Sequence, residues 1–340
     1  MKKSPLRSLC RWSASRSYSV SREELTARRL PPAYDYLHPQ PSHLLDLTLS
    51  GLFPAAHDTT LPSISQPRRM PAGHHLVYFP AQIPLSQLLP DGTDHLHSPG
   101  EPFTRRLWAG GRVRFSGSRN LSLRGDRAVC LETIRDVVVK GKAPDEKVVV
   151  RIERRMGAVD EGESDDGVRS RLLPNADEED LGDASIIEDR NIVFMRGKTP
   201  EQVSHDKEHF GMEDRVIRPP AHPEFEHTIT PSKALLFRFS ALTFNAHGIH
   251  LDQSYTRNVE GYRNLLVHGP LTLAVLLRAV GSQGLQIRDI QYRNMAPLYV
   301  DEEMRVCGKR QSGDRGVWDV WIVGKTGGLT VRGTVLANGY

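Results

Sequence analysis

Cysteine is scarce in this chain: 340 residues carry three, at positions 10, 130 and 307, each far from the others. That excludes a disulfide framework, a Cys-x-x-Cys pair and a cysteine zinc set, and it fits a reducing, intracellular setting. Long hydrophobic runs are also missing. No apolar stretch approaches the ~20 residues a membrane-spanning helix needs, so no membrane span is expected. Acidic residues are missing from the first 22 positions, which instead hold Lys2, Lys3, Arg7, Arg11, Arg16 and Arg22 among many serines. An Arg-rich, Ser-rich, acid-free start is the composition of a mitochondrial transit peptide, and residues 1–22 are expected to be one. With those six cations set aside, 39 basic residues face 41 acidic ones, so the formal charge of +4 gives no argument for a nucleic-acid partner.

The rest of the composition, 38% hydrophobic and 25% charged, is enough for a sizeable core, and this length suits two domains. Leu44–Phe53 reads as a short helix, and residues 72–82, bounded by Gly73 and Pro80, as a strand. Further β-type runs cover 103–116, 128–140 and 147–153. Residues 160–189 then place twelve acidic residues against only Arg169 and Arg171, without periodicity, and are expected to form a mobile insertion. A short strand resumes at Ile192–Met195. The prolines of Arg218–Pro223 make an extended connector, which divides a half at 40–215 from a half at 220–340.

In the second half, Pro270–Val280 is apolar almost all the way round, so it must be covered on every side. Pro270 suits a first helical position and Gly281 an end. Leu329, Val331, Gly333 and Val335 alternate with Thr330, Arg332 and Thr334, and Met304–Lys309 and Val317–Val323 flank a turn. One buried helix followed by antiparallel strands is an α+β layer pattern, with the sheet curling around the helix.

The segment Phe239-Ser-Ala-Leu-Thr-Phe-Asn-Ala-His-Gly-Ile-His-Leu-Asp252, followed by Val267-His-Gly-Pro-Leu-Thr272, resembles the signature of the MaoC-like (R)-specific hydratase/dehydratase family. Phe103–Gly111 and Phe237–His247 resemble its fungal mitochondrial hydroxyacyl-thioester dehydratases and bacterial mesaconyl-CoA hydratases. The resemblance covers roughly residues 40–150 and 220–340. It implies a double hot-dog fold, no cofactor and no metal. It puts His250 on the catalytic histidine, Asn245 on the catalytic aspartate, His247 on a neighbouring asparagine, and Gly269 on the glycine whose N–H faces the thioester oxygen. His268, just before that glycine, joins the expected substrate contacts.

These residue types suit water removal from a 3-hydroxyacyl thioester. An imidazole takes a weakly acidic C2 proton, a second polar group manages the departing hydroxyl, and the N-terminus of Pro270–Val280 offers N–H groups to the enolate oxygen. Asn245 cannot carry a proton as a carboxylate does, which puts both transfers on His250 or shares them with His247. The other histidines, His74/His75 and His95/His97, have no clustered acidic or cysteine partners and read as surface or loop residues. Arg105, Arg106, Arg112 and Arg114 suit the phosphates of a CoA or phosphopantetheine arm, an acidic carrier protein, or equally a solvated strand face.

The implied activity is dehydration of (3R)-hydroxyacyl thioesters carried by an acyl-carrier protein, in mitochondrial fatty-acid synthesis. Mesaconyl-CoA hydration and silent thioester binding are the alternatives. A hot-dog thioesterase is disfavoured, because no carboxylate lies within Pro270–Val280. Monomer and homodimer are both open.

Overall fold

A computed structural model describes residues 21–53, 59–173, 181–212, 216–313 and 316–339. The chain runs through α1 (Arg22–Thr26), β1 (Ala33–Tyr36), α2 (Pro39–Leu49), β2 (Arg68–Arg69), β3 (Arg105–Phe115), β4 (Ser122–Leu123), β5 (Arg127–Lys140), β6 (Lys147–Ala158), α3 (Asp165–Leu172), β7 (Ile186–Met195) and α4 (Pro200–Glu208). It continues with β8 (Phe225–Ile229), α5 (Lys233–Leu242), α6 (Gly248–Leu251), α7 (Gln253–Asn258), α8 (Gly269–Gly281), β9 (Leu285–Asn294), β10 (Met304–Arg310), β11 (Val317–Val323) and β12 (Leu329–Gly339).

Ten strands make one antiparallel sheet in the order β1-β5-β6-β7-β3-β9-β12-β11-β10-β8. The order is the same when read inward from either edge. Each half starts at its own edge (β1 or β8), places the next strand of this sheet at the centre (β3 or β9) and fills the gap with the following three. The two half-sheets meet where β3 pairs with β9, from Gly110↔Arg293 to Arg114↔Asp289.

The halves differ in what they wrap. In the second half, α8 contributes nine buried residues, and the sheet closes over it. This all-apolar helix is stable only because neighbours cover every face. At the corresponding place in the first half, Gly73 leads into one 3₁₀ turn, His74–Val77, which packs on α8 near Leu277. The residues expected as a strand over 72–82 are therefore a buried turn. Their apolar run reflects core contact, and periodicity alone does not separate that from a strand.

Two other expectations are corrected. The acidic stretch 160–189 is not a mobile insertion where it is described: α3 buries Val168 and Leu172 against Leu131 and Ile187, and residues 186–189 pair with both β6 and β3. A few apolar anchors offset the ordering cost that composition had suggested could not be met. Residues 174–180 lie outside the described residues. The arginines of β3 lie against acidic side chains, with Arg105 and Arg114 buried and Arg106 and Arg112 half-buried. Arg105 meets Glu260 at 2.6 Å, Arg106 meets Asp94, and Arg112 meets Asp289 at 2.7 Å, while Arg114 lies 3.8 Å from Asp189. Among the described residues, no helix is long and apolar enough to cross a membrane.

Candidate active site

The second-half motif folds into a tight constellation. Ser232 caps α5 by accepting from Leu235 N, and α5 ends at Leu242, where the chain turns through Phe244 at φ 52°. Asn245 Oδ1 accepts the backbone N–H of His247 at 2.9 Å. An amide oxygen is the only end that can do this, so Nδ2 is left as the free donor. The short α6 follows and carries His250.

His250 is buried, and its Nδ1 lies 2.7 Å from the carbonyl oxygen of Leu266. A carbonyl only accepts, so Nδ1 carries the hydrogen and Nε2 keeps a bare lone pair. Leu266 is fixed in turn, its N–H donating to Ile249 O at 2.9 Å. Burial lowers the His250 pKa to about 4, although the Leu266 hydrogen bond opposes it. The ring is thus neutral near pH 7, as a proton acceptor must be.

His268 was expected among the substrate contacts, and the structure places it elsewhere. It is fully buried, shares a 2.8 Å hydrogen bond between Nε2 and Ser240 Oγ, and stacks on the His250 ring with centroids 3.7 Å apart. It backs His250 and does not reach the cavity wall. Asn245, His247, His250 and Gly269 all line that wall.

Gly269 opens α8, whose first-turn N–H groups have no partners within the helix. A Cβ there would lie 2.6 Å from Trp108 Cβ and 2.7 Å from its Cγ. The glycine is therefore required by the packing of Trp108, a constraint from the other half that the sequence reading did not include. Trp108 is held at both ends: Nε1 donates to Tyr292 Oη at 2.6 Å, and its carbonyl accepts from Asn294 Nδ2 at 2.9 Å. It sits beside a bulge in the β3–β7 pairing, a common device next to functional sites.

The cavity holds about 960 Å³ and lies between the halves, where the first half has only its 3₁₀ turn. One wall is apolar, with Tyr78, Phe79, Ile152 and Ile192. Deeper in the first half, Glu132, Arg154 and Arg190 also line it. Arg154 joins Glu132 at 2.7 Å and Glu188 at 3.0 Å, and the Arg190 guanidinium lies over the Trp108 ring. Burial pushes the Glu188 carboxyl upward, but Arg190, Arg154 and His75 together bring it to about 2.

The expectation that His74 and His75 are surface or loop residues fails, while His97 does lie on a loop. His74 shares a 2.6 Å hydrogen bond with Ser42 Oγ, His75 is fully buried, and His97 shares one of 2.8 Å with Glu132. Burial lowers the pKa of His74 and of His75 to about 4. An unfolded histidine takes its proton near pH 6.5. Between there and about pH 4 the unfolded chain binds more protons, so stability is full above the window and falls on acidification through it. A melting temperature lower by a few degrees at about pH 5 than at about pH 7.5 is the expected outcome. A flat profile across that range would contradict neutral burial of these rings.

A sheet that curls around one helix, with a neutral histidine at the head of that helix, defines a hot-dog acyl-thioester hydratase/dehydratase. The family model of hydroxyacyl-thioester dehydratase type 2 matches residues 73–300, and the chain belongs to that family of hydro-lyases. It is 30% identical over 273 residues to mesaconyl-C(4)-CoA hydratase of Chloroflexus aurantiacus, covering 79% of this chain and 84% of the relative. It is 27% identical over 281 residues to the mitochondrial hydroxyacyl-thioester dehydratase type 2 of Schizosaccharomyces pombe, covering 80% and 88%. A MaoC-like dehydratase from Phytophthora capsici superposes with a TM-score of 0.58 at 13% identity, over 94% of this chain and 99% of that one, which shows the double hot-dog fold.

Proposed function

We propose that the chain dehydrates 3-hydroxyacyl thioesters of an acyl-carrier protein in mitochondria, with His250 as the proton carrier. The carrying observation is the commitment of His250 Nδ1 to Leu266 O, which turns Nε2 toward the cavity at the head of α8. In this reading the thioester oxygen sits on the Gly269 N–H, where the helix dipole favours the developing enolate. His250 Nε2 takes the C2 proton. The C3–O bond then breaks with its electron pair going to oxygen, and the imidazolium returns that same proton, so water leaves and the ring is neutral again. Asn245 Nδ2 donates to the hydroxyl oxygen as charge builds on it.

The carrier-protein and mitochondrial parts are supported by the acid-free segment 1–22 and by the mitochondrial designation of the fungal relatives. Residues 1–20 lie outside the described residues. Ser21, within the expected segment 1–22, caps α1 in a reciprocal box with Glu24. Import of a reporter fused to residues 1–40 tests the location, and a cytosolic reporter would reject it.

Hydration of a short carboxylated acyl-CoA is a second reading. It is favoured by the Chloroflexus relative and by the charged wall of Glu132, Arg154 and Arg190. Water addition to crotonyl thioesters in CoA and carrier-protein forms, with mesaconyl-CoA alongside, separates the two. The carrier-protein form is expected to give the highest kcat/KM. No turnover of either crotonyl form would remove the proposal.

A further inference from the structure

The dehydratase reading leaves one gap: the position of the family's carboxylate is held by Asn245, which moves no proton. A carboxylate nevertheless reaches the site from the other half. Asp91, on the loop between β2 and β3, has its side chain 7% exposed and its Oδ2 3.5 Å from Nε2 of His247, itself 7% exposed. That Nε2 is buried and has no hydrogen-bond partner, so a small ring rotation would give it an acceptor.

The approach is fixed by backbone contacts. Gly248 N–H donates to Asp91 O at 2.8 Å, and a Cβ on Gly92 would lie 2.1 Å from Ala246 O. Only glycine lets the two loops lie this close, and its φ of +83° suits no other residue well. Asp91 Oδ1 is already engaged, accepting from Thr93 N at 3.0 Å and Thr93 Oγ1 at 2.5 Å. Oδ2 is thereby directed at His247, and the motif loop of one half is registered against a carboxylate of the other.

We infer that Asp91 is a positioning residue: it accepts Nε2–H of His247 and so fixes the tautomer in which Nδ1 accepts the hydrogen of the substrate's 3-hydroxyl. Held that way, the hydroxyl oxygen presents a lone pair to the His250 imidazolium, whose ring centroid lies 5.5 Å from that of His247. The proton balance of the elimination is unchanged, because His247 orients the hydroxyl and keeps its own proton. This rests on the dehydratase reading, and the test keeps the two separable.

Asp91→Asn retains the oxygen that Thr93 uses but turns an N–H₂ toward His247, which forces the opposite tautomer. In the full chain, kcat on a crotonyl thioester is expected to fall roughly 10–100-fold, the usual cost of losing an orienting partner, with KM changed much less. His247→Gln should cost a similar factor, and the double variant no more than either. Long-range ¹H–¹⁵N spectra of the histidine rings supply a readout that needs no activity. The His247 signals, assigned by their loss in His247→Gln, should report Nε2–H in wild type and Nδ1–H in D91N. A D91N kcat within about twofold of wild type overturns the inference. If wild type itself shows no turnover, the dehydratase reading has failed, and unchanged D91N ring signals then overturn the Asp91 contact independently.

Discussion

His250→Ala is expected to lower kcat by roughly 10²–10⁴-fold, the range seen when a general acid–base is removed. The size follows from the structure: among the cavity-lining groups at the head of α8, His250 has a neutral ring with one nitrogen fully committed and the other bare. Alanine also orphans the Leu266 carbonyl, which costs about 1–3 kcal/mol and blurs chemistry with folding. His250→Asn separates them, since its amide N–H₂ can still donate to Leu266 O but offers no base. Both variants should lose the same factor, while Asn holds its melting temperature closer to wild type. A folded variant that keeps more than about a tenth of the wild-type rate removes His250 from the chemistry.

Arg154→Met should have the largest effect on stability, about 3–5 kcal/mol, with unfolding followed by denaturant titration. Arg154 is 3% exposed, and all three guanidinium nitrogens are engaged, by Glu132, Glu188 and Phe79 O. Burial disfavours its charge, but the neighbouring Cys130, Glu132 and Glu188 outweigh that and raise its pKa. Burial likewise opposes the charge on Glu132, and His97 and Arg154 bring that carboxyl well below its usual range. Removing the cation therefore leaves two buried carboxylates competing for what is left. A loss under about 1 kcal/mol would mean that the network is better hydrated than its burial implies.

Sequence legibility followed the burial pattern closely. β12 was readable because its residues alternate in burial from Val331 to Ala337. α8 was readable because no polar residue other than Thr272 and Arg278 interrupts it. β9 was not read as a strand: Gln286, Arg288, Asp289, Gln291 and Arg293 dilute its apolar residues, because it lies in the middle of a sheet whose outer face is paired charge. β6 appeared to stop at Glu153, because Arg154 and Arg155 look solvated in sequence; both are buried on acidic partners. At the site, the Asn245–His250 motif and Gly269 were legible by resemblance. Asp91 and Trp108 were not, since each acts across more than 150 residues of chain, and no local spacing encodes such a contact.

The β3–β9 seam also bears on how this protein is made. A ribosome releases the strands of the first half by Met195, but β9 is complete only about a hundred residues later. At roughly 5–20 residues per second, β3 waits on the order of ten seconds with one edge unpaired. An open edge of that length invites pairing with a neighbouring nascent chain. Arg112, which later meets Asp289 on β9, puts positive charge on that waiting edge. The same arginine that fastens the seam in the finished protein would repel another copy of it during synthesis.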